Sequence, residues 1–188
     1  MSYTALFDAN VFYSAPIRDI LLQLATTDIF RGKWTNDIHR EWIDSLLRNE
    51  PHRERAALER TRDLMDQAVR DCLVTGYDSL IPSLALPDPN DRHVLAAAIV
   101  GRCDVIVTCN LKDFPESAIS PYGIEAQHPD DFLCNHLHLA PGLFCGAIRM
   151  VRMRLQKPPY SAEEYLAKLA QQGLVATVGE LKSFSALI

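Results

Sequence analysis

Residues 86–115, with the sequence LPDPNDRHVLAAAIVGRCDVIVTCNLKDFP, encode a capped helix that runs directly into a short apolar strand. Asp88 or Asn90 can cap the helix by accepting hydrogen bonds from its first backbone amides. The strand that follows, DVIVTCN, lacks the alternation of apolar and polar residues expected of a half-exposed strand. It therefore reads as an interior strand of a parallel sheet, covered on both faces.

The rest of the chain repeats this alternation of strands and helices. YTALFDAN, GKWT and GIEAQ read as further short strands, and a helix beginning near Asp37 follows the second of them. This order predicts an α/β fold with a mostly parallel central sheet. From Pro141 onward the pattern is helical, so we expect a main domain over 1–138 and a C-terminal helical extension over 139–188. We expect the extension to pack through one apolar set: Leu143, Phe144, Ile148, Val151 and Leu155.

Composition restricts the environment and the partners. The chain has 188 residues and a formal net charge of −5, so it has no overall basic field for nucleic acid. Its five cysteines are odd in number and lack CxxC spacing, and no signal region precedes them, which predicts free thiols in the cytoplasm. No apolar run approaches the ~18–20 residues needed to cross a bilayer, so we expect no membrane span.

Polar side chains stand where two of the apolar strands end. Asp8 ends the first strand, whereas Thr108 and Asn110 end the third, with Asp113 just beyond. Ligand sites in open α/β sheets form at the carboxyl ends of the strands, so these residues are expected at one edge. Asp91, in the first turn of the helix described above, falls on that helix's buried face. A carboxylate in that position needs a cationic partner.

Glu41, on the helix that begins near Asp37, adds a fourth carboxylate to Asp8, Asp91 and Asp113. Such a cluster repels itself unless divalent cations neutralise it. Oxygen ligands suit Mg²⁺ or Mn²⁺, whereas zinc usually recruits His or Cys. A metal held this way can activate water and polarise a phosphodiester. The residues thus predict metal-assisted hydrolysis of a nucleic-acid backbone.

Four segments resemble bacterial PIN domains, and specifically PIN-family toxin components of toxin–antitoxin systems. They are FDANVFYSA, the helix that carries Glu41, PDPNDRHVLAAAI and DVIVTCNLKDFP, and the resemblance spans roughly residues 1–135. It implies a three-layer α/β/α fold and Mg²⁺- or Mn²⁺-dependent endoribonuclease activity. It also implies RNA as substrate, with an antitoxin protein and a second copy of the chain as candidate partners.

The resemblance assigns roles residue by residue. Asp8, Glu41 and Asp91 match the first three acids of the family, as catalytic residues and metal ligands. Many members have Asp where this chain has Asn110, so we assign Asp113 as the fourth acid and Asn110 as a neutral, orienting ligand. Asn10 and Thr108 are assigned supporting roles.

Several alternatives stay open at this point. The chain could be a catalytically inactive PIN scaffold that serves as a binding module, or a nuclease that acts on DNA. A haloacid dehalogenase-type phosphatase is disfavoured, because Asn10 occupies the position of its acid/base Asp. His93 is expected to face solvent or to pack, and not to act as a general base. One basic run could be either a solvated helix face or an RNA contact: Arg149, Arg152, Arg154 and Lys157.

Overall fold

The computed structural model describes residues 3–188, in which strands and helices alternate as predicted. The strands are β1 (Thr4–Phe7), β2 (Arg31–Lys33), β3 (Val105–Val107) and β4 (Glu125–Gln127). The helices are α1 (Ala9–Tyr13), α2 (Ala15–Ala25), α3 (Asn36–Asn49), α4 (Arg55–Ala68), α5 (Arg92–Val100), α6 (Glu116–Ile119), α7 (Pro129–Leu139), α8 (Pro141–Arg154), α9 (Ala162–Gln171) and α10 (Val175–Leu181). Short 3-10 turns connect several of them, including Pro89–Asp91 and Leu111–Asp113.

The four strands form a single parallel sheet in the order β2-β1-β3-β4. In the central pair, Ala5 stands opposite Val105 and Phe7 opposite Val107. Every residue of β1 and β3 is buried, which requires that helices cover both faces of the sheet. The predicted α/β class with a mostly parallel sheet is confirmed, and the arrangement is the three-layer α/β/α one.

An aromatic cluster fixes the helices on one face of the sheet. Phe7 on β1 lies 5.8 Å from Phe12 of α1 and 5.8 Å from Phe132 of α7, measured between ring centroids. Phe30, just before β2, meets Phe132 edge-on at 4.9 Å. Tilted and edge-on pairs of this kind are the favoured aromatic geometries. The cluster therefore ties the start of the C-terminal helices to the first strand.

A buried polar network holds α3 against α4. Trp34 Nε1 donates to Asp66 Oδ1 at 2.7 Å, and His39 Nε2 lies 2.9 Å from the same oxygen. Trp42 Nε1 donates to His39 Nδ1 at 2.9 Å. Because an indole N–H can only donate, Nδ1 must accept and Nε2 must carry the ring proton. The network orients α3, the helix that carries Glu41.

The C-terminal helices pack on the main domain, with α8 against α2 and α10 against α7. Asp130, a buried residue of α7, accepts from the backbone amides of Ala176 and Thr177, both at 2.8 Å. Its carboxylate thus satisfies two amides in the first turn of α10, which would otherwise lack partners. One side chain on α7 therefore joins the last helix to the body of the protein.

One expectation for the extension is corrected. Phe144, Ile148 and Val151 are buried as predicted, but Leu143 is 55% exposed. The buried stripe follows the 3.6-residue period from Phe144, and Leu143 falls about 100° off it. Arg152, from the basic run, fits neither of the two alternatives given for that run, because its guanidinium donates to the carbonyls of Tyr160 at 2.6 Å and Ile188 at 3.2 Å.

Over residues 3–188, no helix is both long and apolar enough to span a bilayer. All five cysteines belong to this part of the chain and are unpaired, as predicted. The division into 1–138 and 139–188 stays a prediction. In the structure, that boundary falls at the last turn of α7.

Candidate active site

The carboxyl ends of β1 and β3 meet at one edge of the sheet. The Asp8 amide donates to the Val107 carbonyl at 3.0 Å, which continues the parallel ladder by one residue. Immediately beyond, the Thr108 hydroxyl donates to Asp8 Oδ2 at 2.8 Å. The two strand ends predicted to share an edge are therefore in direct contact, and Thr108 supports Asp8.

Asn10 locks these two strand ends together. Its Nδ2 donates to Asp8 Oδ2 at 2.5 Å, and its Oδ1 accepts from the Cys109 amide at 2.9 Å. The other carboxylate oxygen of Asp8 accepts from the Ala9 amide at 2.6 Å, so Asp8 also caps α1. Asp8 is thus held by three donors, and its orientation is set before any ligand binds.

Burial governs the electrostatics of Asp8. Loss of water around this carboxyl raises its pKa, and the nearby Glu41 carboxylate raises it further. The bonds from Thr108 and from the Ala9 amide act in the opposite direction, because they favour the ionised form. The net result is a pKa above the usual aspartate value, and burial is its largest cause.

All four predicted acids line one open pocket of about 470 Å³: Asp8, Glu41, Asp91 and Asp113. Asn110 lines it as well, and its side-chain amide is hydrogen-bonded to the carboxylate of Asp113. The acids share a pocket, but they do not converge on a point. Within residues 3–188, no three His, Cys, Asp or Glu side chains form a group ready to hold a metal ion.

Asp91 is the most strongly perturbed acid of the pocket. It lies half-buried between the Pro89–Asp91 turn and α5, and its side chain makes no capping hydrogen bond. Burial is the largest cause of its shift, and repulsion from Asp8, Asp113 and Asp88 adds to it, so that the pKa rises to about 7. Asp91 thus lies in the turn that leads into α5, close to several other acids.

His93 is the one basic side chain within ion-pair distance of these four carboxylates in the described part of the chain. Its Nε2 lies 2.9 Å from Glu41 Oε1, and its side chain is only 11% exposed. Burial alone would lower the pKa of His93, but Glu41, Asp37 and Asp8 outweigh burial and raise it. Of the two placements expected for His93, the packed one is correct, and the contact with Glu41 was not foreseen.

Five lining residues were not predicted from the sequence: Ala9, Trp42, and the three considered next, Tyr13, Ser45 and Arg48. Ser45 and Arg48 follow Glu41 at i+4 and i+7 on α3, so all three share one helix face. That spacing was readable in the sequence. Tyr13 was not, because it reaches the pocket only through the packing of α1 on α3.

The basic run of the extension lies elsewhere. None of its four residues lines the acidic pocket: Arg149, Arg152, Arg154 and Lys157. Arg154 lines a separate cleft between α2, α4 and α8, and Arg152 is engaged by backbone carbonyls. The structure therefore brings the four acids and Asn110 together but not the basic run.

The residues of the pocket fit a hard divalent cation by their chemistry. Every candidate donor is a carboxylate, amide or hydroxyl oxygen, the type that Mg²⁺ and Mn²⁺ prefer. Burial is the main cause of the raised pKa of Asp91, and repulsion from Asp8 and Asp113 adds to it, a repulsion that a bound cation would relieve.

Comparison with known proteins accords with this geometry. Residues 4–112 match the model of the PIN domain family, which is more than half of the chain. The chain belongs to the PIN domain family. The match contains three of the acids and Asn110 and ends one residue before Asp113, and the roles of all four acids stay predictions.

The C-terminal part of this PIN-domain protein has relatives too. Residues 129–183 match the VapC50 C-terminal domain family, which covers α7 to α10. The chain is 42% identical over 97 residues to the "Putative ribonuclease VapC50" of Mycobacterium tuberculosis, which is 52% of this chain and 57% of that relative. The chain thus aligns with little more than half the length of that relative. No solved structure matches the present chain significantly.

Proposed function

We propose that this PIN-domain protein is a Mg²⁺- or Mn²⁺-dependent endoribonuclease that hydrolyses RNA phosphodiester bonds. The observation that carries the proposal is the pocket at the carboxyl edge of the sheet. Four acids line this pocket, and one of them, Asp8, is held in place by hydrogen bonds. A cluster of like charges costs stability, so its presence needs a cationic ligand to explain it. The likeness to a relative named as a ribonuclease supports the choice of RNA.

Asp8, Glu41, Asp91 and Asp113 are the proposed metal ligands and catalytic residues. When bound, the divalent ion supplies Lewis-acid polarisation of the scissile phosphate and lowers the pKa of an attacking water. Thr108 and Asn10 hold Asp8 through the hydrogen bonds described above. Asn110 binds the Asp113 carboxylate and, as a neutral group, orients it without adding charge.

The raised pKa of Asp91 gives the site a proton to release. Near pH 7 the carboxyl is partly protonated in the absence of a cation, because burial and the neighbouring acids disfavour its charge. A divalent ion favours the ionised form, so binding should expel a proton from Asp91. His93 keeps one oxygen of Glu41 engaged and leaves the other for a ligand.

We also propose that the chain is the toxin of a toxin–antitoxin pair, held inactive by a cognate antitoxin protein in the cytoplasm. The support is the match of residues 129–183 to the VapC50 C-terminal domain family and the 42% identity over 97 residues to the relative named VapC50. The acidic pocket itself carries no information about that partner.

Cleavage of single-stranded RNA by the purified protein tests the nuclease proposal. With Mn²⁺ we expect cleavage that EDTA abolishes and added Mn²⁺ restores. Asp8→Asn and Asp91→Asn should each reduce the rate at least about 100-fold, because each removes a ligand charge from the metal site.

Asp63→Asn is the matched control. It removes the same charge from an exposed position on α4 outside the pocket lining, so its rate should stay within about threefold of wild type. A folded wild-type protein that binds no divalent metal and spares RNA would favour the binding-module alternative. Cleavage of DNA in preference to RNA would change the proposed substrate to DNA and would not affect the proposed catalytic residues.

A further inference from the structure

The residues that line the acidic pocket and are not acids include Tyr13, Ser45 and Arg48. Tyr13 comes from the end of α1, and Ser45 and Arg48 come from α3. Glu41, Ser45 and Arg48 stand on one face of α3, and seven residues of helix separate the first from the last by about 10 Å. A cationic end and an acidic end therefore lie along the same wall.

Arg48 is the sole cation among the residues that line this pocket. It is exposed and makes no hydrogen bond or ion pair with any of residues 3–188. Nearby arginines are engaged, since Arg40 pairs with Asp37 at 2.6 Å and Arg55 with Asp44 at 2.6 Å. An unengaged guanidinium at the mouth of an acidic pocket is free to bind an anion from solution.

Tyr13 lines the same pocket as Arg48 and offers an aromatic ring. Its hydroxyl accepts from Asn49 Nδ2 of α3 at 3.2 Å, and the residue is half-buried. Tyr13 also lines an adjoining cleft with Ser14 and Arg53. The ring therefore stands at the junction of the acidic pocket and a second depression into which an extended strand can continue.

We propose that Tyr13, Ser45 and Arg48 form a nucleotide subsite for single-stranded RNA next to the scissile phosphate. Arg48 binds the neighbouring phosphate through its planar donors, and Ser45 donates its hydroxyl to the same group. The unpaired base stacks on Tyr13, as bases do on aromatic platforms in single-strand binding proteins. The subsite rests on the proposed ribonuclease function and gives it a substrate class.

The physical reason for such a subsite is charge. A metal ion neutralises the acids at one point only, while the phosphates on either side still meet a negative surface. The overall net charge of −5 makes a local cation necessary to hold the strand. A base inside an A-form duplex is already stacked on its neighbours, so Tyr13 selects unpaired RNA.

Binding of a fluorescent 12-nucleotide single-stranded RNA, measured by anisotropy with Ca²⁺ in place of Mn²⁺, tests the subsite. Arg48→Ala should weaken binding about 5- to 20-fold and reduce the slope of log K against log salt by about 0.7, the value for one phosphate contact. Arg60→Ala is the matched control, because Arg60 is an exposed arginine of α4 outside the pocket. It should change binding less than twofold.

Tyr13 is tested with two variants. Tyr13→Leu should weaken binding about 5- to 100-fold through loss of stacking, and Tyr13→Phe should stay within about threefold of wild type because it keeps the ring. A 12-base-pair RNA duplex should bind at least about 10-fold more weakly than the single strand. Equal binding of duplex and single strand would overturn the proposal, as would equal effects at Arg48 and Arg60.

Mn²⁺ titration of the same variants separates this proposal from the previous one. Arg48→Ala should bind Mn²⁺ within about twofold of wild type, since Arg48 touches no proposed ligand. A parallel loss of Mn²⁺ binding would refute a separate subsite. If the Arg48 and Tyr13 variants cleave RNA at the wild-type rate in the presence of metal, the subsite proposal is wrong and the nuclease proposal stands. Binding that depends on both residues, without any cleavage, keeps the subsite and removes the nuclease.

Discussion

Asp91 shows how one residue links the site to the stability of the fold. Its pKa of about 7 in the folded protein lies above its ordinary value of 3.8. Between those values the folded state holds a proton that the unfolded chain has lost. The free energy of unfolding of the metal-free protein should therefore fall as pH rises through this window. The ionised Asp91 carboxylate therefore lowers the stability of the metal-free protein at neutral and higher pH.

Asp91→Asn should remove that dependence. At pH 8 in EDTA we expect the variant to be about 1–2 kcal/mol more stable than wild type, a value reduced for solvent screening at a partly exposed carboxyl. This corresponds to roughly 2–8 °C in Tm, and the difference should shrink toward pH 5. Thermal melts at four pH values measure it. A variant less stable than wild type at pH 8 would contradict the repulsion among the acids.

The four acids differ in how clearly the sequence pointed to them. Asp8 ends an apolar strand, Asp113 lies just beyond another, and Asp91 was expected on a buried helix face. Glu41 was weaker by residue pattern, since a glutamate on a helix is ordinary. The partner of Glu41 is His93, and a contact between α3 and α5 has no local signal in either helix.

At the scale of elements, the orientation of α3 depends on α4. The alternating charges of α4 are typical of an exposed helix, and only Leu58 and Met65 of this helix are buried. The same pattern could not tell that Asp66 turns inward to Trp34 and His39. A helical charge pattern defines a face but not which neighbouring element meets it.

Asp66→Ala should destabilise the protein by about 2–4 kcal/mol, because it leaves the buried Trp34 indole without an acceptor and removes the partner of His39. Urea unfolding measures the loss. Asp63→Ala on the same helix is the control: Asp63 is exposed and pairs only with Arg62, so its cost should stay below about 0.5 kcal/mol. Equal costs at the two positions would mean that the network does not hold α3.

The strand ends and helix starts were the predictable elements. Apolar runs that stop at a polar residue located β1 and β3. Prolines at the start of α2 and α7 and the Ser161 cap of α9 are likewise local signals. Leu143 falls about 100° off the buried stripe that starts at Phe144, so the helical period explains its exposure. The environment of Arg152 was not predictable, because it comes from residues far away in the chain, such as Ile188.

At the scale of the whole molecule, Asp130 couples the C-terminal helices to the PIN domain. Asp130→Ala should remove two buried acceptors from the first turn of α10 and cost about 2–3 kcal/mol. Hydrogen exchange should show lost protection in α10 before α5. Asp131→Ala, the exposed neighbour, should cost less than about 1 kcal/mol. Unchanged protection in the Asp130 variant would show that α10 is held by apolar packing alone.

The central claim is that the acids of this pocket close around a divalent metal ion, although no three of residues 3–188 are arranged for one without it. Anomalous scattering from crystals soaked in Mn²⁺ tests it most directly. We predict a manganese peak in the pocket, with an oxygen of Asp8 and oxygens of at least two of Glu41, Asp91 and Asp113 at about 2.0–2.3 Å. A peak only at other carboxylates, or none at saturating Mn²⁺, would contradict the account.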